Sequence, residues 1–130
     1  MALPGYVLIV DDDPAVLALL SASLEGAGFR VTTATDAWQE VVQAQGLKVG
    51  LIISDIQMPG VGTGVDAVKQ IRSLPAVSPK LPVIFMTGMS PERAQALIPK
   101  DPNIRLVGKP IDFEKLRLAI KELTGIDRPL

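Results

Sequence analysis

The sequence predicts an α/β fold, a five-stranded parallel sheet with helices on both of its faces. Five short segments, at residues 6–10, 29–33, 51–54, 82–86 and 104–107, are rich in Val, Ile and Leu, and stretches with helical periodicity fill every gap between them. All but the second are apolar with little alternation, the pattern of strands buried on both faces. Strand–helix alternation with short connections then requires parallel neighbours joined by right-handed crossovers.

Each element has its own justification. YVLIV at 6–10 is a central strand. Asp13 followed by Pro14 reads as an N-cap and first helical residue, with Val16, Leu17, Leu20 and Leu24 on one face and Gly26 and Gly28 at the exit. FRVTT at 29–33 alternates and is more polar, as an edge strand is. Thr35 is placed to cap a helix over 36–45 with a stripe of Ala37, Val41 and Ala44 and a partly exposed Trp38. LIIS at 51–54 is the next central strand, followed by a helix over 64–74 carrying Val68, Ile71 and Leu74 and closed by Pro75. PVIFM at 82–86 begins on proline, where a missing N–H is tolerated. Ser90 and Pro91 open a short helix that Pro99 ends, and IRLV at 104–107 is the last strand. Asp112 caps a final helix with Phe113, Leu116, Ala119, Ile120 and Leu123 on one face, Leu118 off that face and Gly125 past its end.

Composition removes whole classes of function. The chain has 130 residues, 48% of them hydrophobic, enough for one domain with a real core. A net charge of −1 lacks the basic face that nucleic acid demands. With neither cysteine nor histidine, disulfides, thiolate metal sites, imidazole catalysis and a phosphohistidine within the chain are excluded. No apolar run approaches the ~20 residues that span a bilayer. The first residues lack a signal-peptide pattern, so a cytoplasmic location is expected.

Polar residues punctuate one end of the strands. Asp11, Asp12 and Asp13 follow the first strand, Asp55 follows 51–54, Thr87 follows 82–86, and Lys109-Pro110 come just after 104–107. In a parallel α/β sheet ligands bind beyond the carboxyl ends of the strands, so these groups converge on one crevice. Carboxylates gathered there repel unless a cation neutralises them, and an all-oxygen donor set suits Mg²⁺ completed by a phosphate. A carboxylate can itself attack phosphorus, and such transfer needs charge stabilisation more than acid–base groups. Lys109 supplies the charge and the Thr87 hydroxyl a hydrogen bond. Taken singly, each of these residues is as readily a turn or cap residue, and Asp13 is best read as a cap. The joint pattern is what carries the chemistry.

LIVDDD at 8–13, ISDIQMPG at 53–60, FMTG at 85–88 and VGKP at 107–110 together resemble the response-regulator receiver family of two-component signalling. The resemblance covers roughly residues 5–123, a receiver domain with short tails at 1–4 and 124–130 and no output domain expected in the chain. It implies a flavodoxin-like sheet of strand order 2-1-3-4-5. It also implies that Asp55 is the phosphoacceptor and that Mg²⁺ is held by Asp11, Asp12, Asp55 and the backbone carbonyl of Gln57. Thr87 would be the switch hydroxyl, Lys109 its ion-pairing partner in the site, and Gly88 the small residue that leaves phosphate access. The implied partners are a sensor histidine kinase or phosphotransfer protein and a downstream protein on the face between the fourth and fifth helices, where Leu118 lies.

Three positions depart from the family pattern. Leu106 stands where receivers usually carry Tyr or Phe, so readout is expected through packing of the helix at 90–99. The loop after Met58-Pro59-Gly60 is about one residue longer than usual and glycine-rich, which suggests mobility. Gln57 and Met89 occupy positions that tune acyl-phosphate hydrolysis. On this reading the chain is no enzyme beyond catalysing its own phosphorylation and autodephosphorylation. Two alternatives are a Mg²⁺-dependent aspartyl-phosphate phosphatase with Asp11 as nucleophile and Asp13 as acid, and a receiver-like scaffold that is never phosphorylated.

Overall fold

Period-two alternation along the strands sorts the apolar side chains into two layers. In the computed structural model, which describes residues 2–57 and 63–130, strands β1 (Tyr6–Val10), β2 (Val31–Ala34), β3 (Val49–Asp55), β4 (Val83–Thr87) and β5 (Ile104–Gly108) form one parallel sheet. Its order is β2-β1-β3-β4-β5, as the family resemblance implies. The helices are α1 (Pro14–Gly26), α2 (Ala37–Gly46), α3 (Gly64–Arg72), α4 (Pro91–Leu97) and α5 (Phe113–Thr124). Val7, Ile9, Leu51, Ile53, Ile84 and Met86 pack against Leu17, Leu20 and Leu24 of α1 and Leu116, Ala119 and Ile120 of α5. The intervening residues Leu8, Val10, Ile52, Val83 and Phe85 pack with α2, α3 and Ala94 of α4. Because each central strand is covered on both faces, its sequence does not alternate in polarity.

Several boundaries shift for identifiable reasons. Asp36, not Thr35, caps α2: its carboxylate accepts the Gln39 N–H at 2.8 Å, while Gln39 Oε1 reaches back to the Thr35 N–H and hydroxyl, both at 2.9 Å. The shorter carboxylate is the better cap, and the threonine is held from the helix instead. β2 starts at Val31, because Phe29 turns into the α1–α5 layer with the Arg128 guanidinium 5.1 Å from its ring centroid. β3 extends to Asp55 and β4 to Thr87, so both site residues end strands rather than follow them. Trp38 is more exposed than expected, at 75%. Beyond α5, Ile126 is buried in the core and Asp127 pairs with Arg117 at 2.5 Å, so the chain stays packed past residue 123. Among the described residues no helix is long and apolar enough to cross a membrane.

Candidate functional site

The register of the central strands brings the strand-end residues together. Val10 is the partner of Ser54 across β1 and β3, so Asp11 and Asp55 follow on neighbouring strands. Asp55 is the partner of Met86, and Thr87 of Gly108, which sets Thr87 and then Lys109 one step further out along the same edge. The Lys109–Pro110 peptide is cis, and the Lys109 N–H donates to the Thr87 carbonyl at 2.7 Å.

Lys109 is the hub. Its Nζ donates to Asp11 Oδ2 at 2.5 Å and to Asp55 Oδ2 at 3.0 Å. Asp11 is fully buried, and its other oxygen accepts the Asp13 N–H at 2.9 Å. Asp55 Oδ1 accepts the Gln57 N–H at 3.1 Å. Exposed Asp12 completes the group: Asp11, Asp12 and Asp55 each present an oxygen within 4.8 Å of the others. Burial pushes the Asp55 carboxyl above its ordinary range, and Lys109 and the Gln57 N–H pull it only partly back. For Lys109 burial works against the charged form, but its two carboxylate partners outweigh it and its pKa sits above the usual lysine value.

Thr87 is buried at the lip of this crevice, and its Oγ1 accepts the Met89 N–H at 3.0 Å. Beside it, Gly88 is exposed, with nothing near the position a Cβ would take. Asp13 lies outside the cluster. It caps α1, its carboxylate accepting the Ala15 N–H at 2.9 Å, a commitment that counts against a role as catalytic acid. Leu106 packs in the layer that holds Ala94 of α4. The expectations for Met58, Pro59 and the glycine-rich loop fall on residues 58–62, outside the described residues.

Two residues beneath the crevice were not anticipated. Ser54 points to the α2–α3 side of the sheet and donates its hydroxyl to the Asp55 carbonyl at 3.0 Å. Glu40 of α2 is fully buried beside Ser54, and burial raises its pKa to about 8. The signal was in the sequence: Glu40 falls at helical spacing between Ala37 and Ala44, on a face that should be wholly apolar.

A doubly wound sheet with an acidic crevice bridged by a strand-end lysine defines a receiver, and the chain belongs to the response regulator receiver domain family, whose model matches residues 7–121. Among characterised relatives, it is 31% identical over 116 residues to the transcriptional regulatory protein ZraR of Klebsiella oxytoca, and 28% identical over 121 residues to FixJ of Bradyrhizobium diazoefficiens. Those matches take in 89% and 93% of this chain but only 25% and 57% of the two relatives. The chemotaxis protein CheY4 of Vibrio cholerae superposes with a TM-score of 0.78 at 31% identity, covering 95% of this chain and 98% of that one. The receiver domain of the sensor histidine kinase PA1611 of Pseudomonas aeruginosa, solved with magnesium in its active-site cleft, matches with a TM-score of 0.77 at 26% identity over 94% of this chain and 98% of its own.

Proposed function

We propose that this receiver domain, read over residues 5–123, is a phosphorylation-dependent switch that accepts a phosphoryl group on Asp55. The observation that carries the reading is the bridge from Lys109 to Asp55 and Asp11 inside a three-carboxylate cluster. Asp55 attacks phosphorus through a carboxylate oxygen, and the donor's imidazole or acetate departs with the electron pair of the broken bond. Lys109, already 3.0 Å from Asp55, neutralises a phosphoryl oxygen as the acyl phosphate forms. The Thr87 hydroxyl accepts from Met89 yet keeps its own hydrogen to donate, which fits it to follow a phosphoryl oxygen.

The acids fit a hard divalent cation: three carboxylates against one ammonium leave two negative charges to balance. Asp11, Asp12, Asp55 and the Gln57 carbonyl would hold Mg²⁺, which when bound would neutralise these acids and the incoming phosphate. On this reading a histidine kinase or phosphotransfer protein acts upstream and the domain works in the cytoplasm, which membership of the receiver family supports. Downstream, α4 exposes Leu97 and α5 exposes Leu118, and we assign partner docking to that face. With Leu106 in place of an aromatic ring, the signal travels through Thr87 and the packing of α4.

The test is incubation with Mg²⁺ and acetyl phosphate, followed by intact-mass measurement, with beryllofluoride binding followed by NMR. The wild type should gain one phosphoryl group and Asp55→Ala none. Equal labelling of the two proteins, or turnover of a general phosphatase substrate, would refute the assignment.

A further inference from the structure

We propose that Glu40 is a positioning residue for Asp55, acting through a hydrogen-bond relay from its carboxyl to Ser54 Oγ and on to the Asp55 carbonyl oxygen. This rests on the reading of Asp55 as phosphoacceptor. Among the described residues neither carboxyl oxygen of Glu40 has a donor aimed at it. The neighbouring hydroxyl, Ser54, has its single hydrogen turned onto the Asp55 carbonyl, 3.0 Å away. A Glu40 carboxylate would therefore sit in the core with nothing to accept, at a cost no apolar core tolerates without reason. The acid form resolves this. It can donate to the Ser54 oxygen, which retains free lone pairs, and with a pKa near 8 it is the form present at neutral pH.

The far end of the relay is packed as tightly. A Cβ on Gly64 would come within 2.1 Å of the Asp55 carbonyl oxygen and 2.9 Å of Ser54 Oγ, so the first residue of α3 closes on the same peptide group. The Gly64 N–H also donates to the Ile56 carbonyl at 3.0 Å. The backbone carrying the phosphoacceptor is thus held on the α2–α3 side of the sheet by both α3 and Ser54, with Glu40 behind Ser54. Leu or Met at position 40 would fill nearly the same space without a buried acid. What Glu40 adds is the donor.

Four variants separate this role from packing: Glu40→Gln, Glu40→Leu, Ser54→Ala, and Glu40→Leu combined with Ser54→Ala. Three quantities are read: the rate of phosphorylation by acetyl phosphate with Mg²⁺, stability in urea, and the ¹³C shift of the Asp55 carbonyl without any phosphodonor. Glu40→Leu should slow phosphorylation roughly fivefold, the worth of one net hydrogen bond, while raising the urea midpoint. Glu40→Gln, whose amide still donates, should keep the wild-type rate. Ser54→Ala should show the same loss, and adding Glu40→Leu to it should slow the reaction no further. The Asp55 carbonyl shift should move in Glu40→Leu and stay in Glu40→Gln. An unmoved shift in Glu40→Leu, or a moved shift with an unchanged rate, overturns the proposal. If the wild type takes up no phosphoryl group, the reading of Asp55 fails, and the carbonyl shift alone still decides whether the relay exists.

Discussion

Replacing Glu40 by Gln should flatten the dependence of stability on pH across the neutral range. The acid's pKa rises from 4.5 to about 8 on folding because burial disfavours its charged form. A raised folded-state pKa means that the folded protein holds a proton the unfolded chain has released. The associated stability is complete below pH 4.5 and is lost as pH rises through the folded value. The slope is about 1.4 kcal/mol per pH unit, which gives a loss of about 3 kcal/mol by pH 7 and about 5 kcal/mol in total. Glu40 is fully buried, so solvent screening takes little from these figures. Glutamine has nearly the same shape and does not titrate. The assay is urea unfolding from pH 5 to 9 followed by far-UV circular dichroism, because Trp38, the chain's one tryptophan, is already largely exposed when folded. The advantage of the variant over the wild type should grow steadily from pH 5 to about 8 and then level off. Parallel stability curves for the two proteins would show that Glu40 titrates alike in both states and would refute the reasoning.

Lys109→Met leaves buried Asp11 beside Asp55 without their shared cation, and should cost about 2 kcal/mol in metal-free buffer once partial exposure of the lysine is allowed for. Added Mg²⁺ should recover more stability in this variant than in the wild type, which unfolding with and without a chelator measures. Gly64→Ala should destabilise by about 3 kcal/mol, since its methyl group meets backbone rather than a movable side chain, whereas Gly46→Ala, with open space around it, should not destabilise. Thermal melts of the pair check this. Thr87→Ala deprives the Met89 N–H of its acceptor for about 1 kcal/mol; Asp55 should still be labelled, while the NMR shifts that labelling induces around α4 should shrink.

The layering of the fold was legible because burial on both faces erases alternation in β1, β3 and β4, while the edge strand β2 is more polar and only partly buried, as the sequence already shows. Caps were legible where aspartate or serine stood directly before proline, as at Asp13 and Ser90. They failed by one residue at Thr35-Asp36, where two capping types are adjacent and only the side chain of Gln39 decides between them. Strand order was legible only through the family resemblance, because nothing local to a strand names its neighbour.

At the site, the sequence located the groups that end strands but not those beneath them. Asp11, Asp55, Thr87 and Lys109 interrupt apolar runs, and a polar residue at the carboxyl end of a buried strand is visible as punctuation. Glu40 and Ser54 leave a weaker mark: each is a polar residue on a face that periodicity assigns to the core, one among the alanines of α2 and one between Ile52 and Ile56 on β3. Their two anomalies become one only when the helix is laid on the sheet. A charged crevice held from above by Lys109 then also has support from below, and the two can be told apart. Changes at Lys109 act on the charge of the Asp55 side chain and answer to added cation. Changes at Glu40 act on the Asp55 backbone and should leave the response to Mg²⁺ unaltered. A shift in Mg²⁺ affinity for Glu40→Leu as large as that for Lys109→Met, measured by titration calorimetry, would merge the two layers into a single electrostatic unit and remove the distinction.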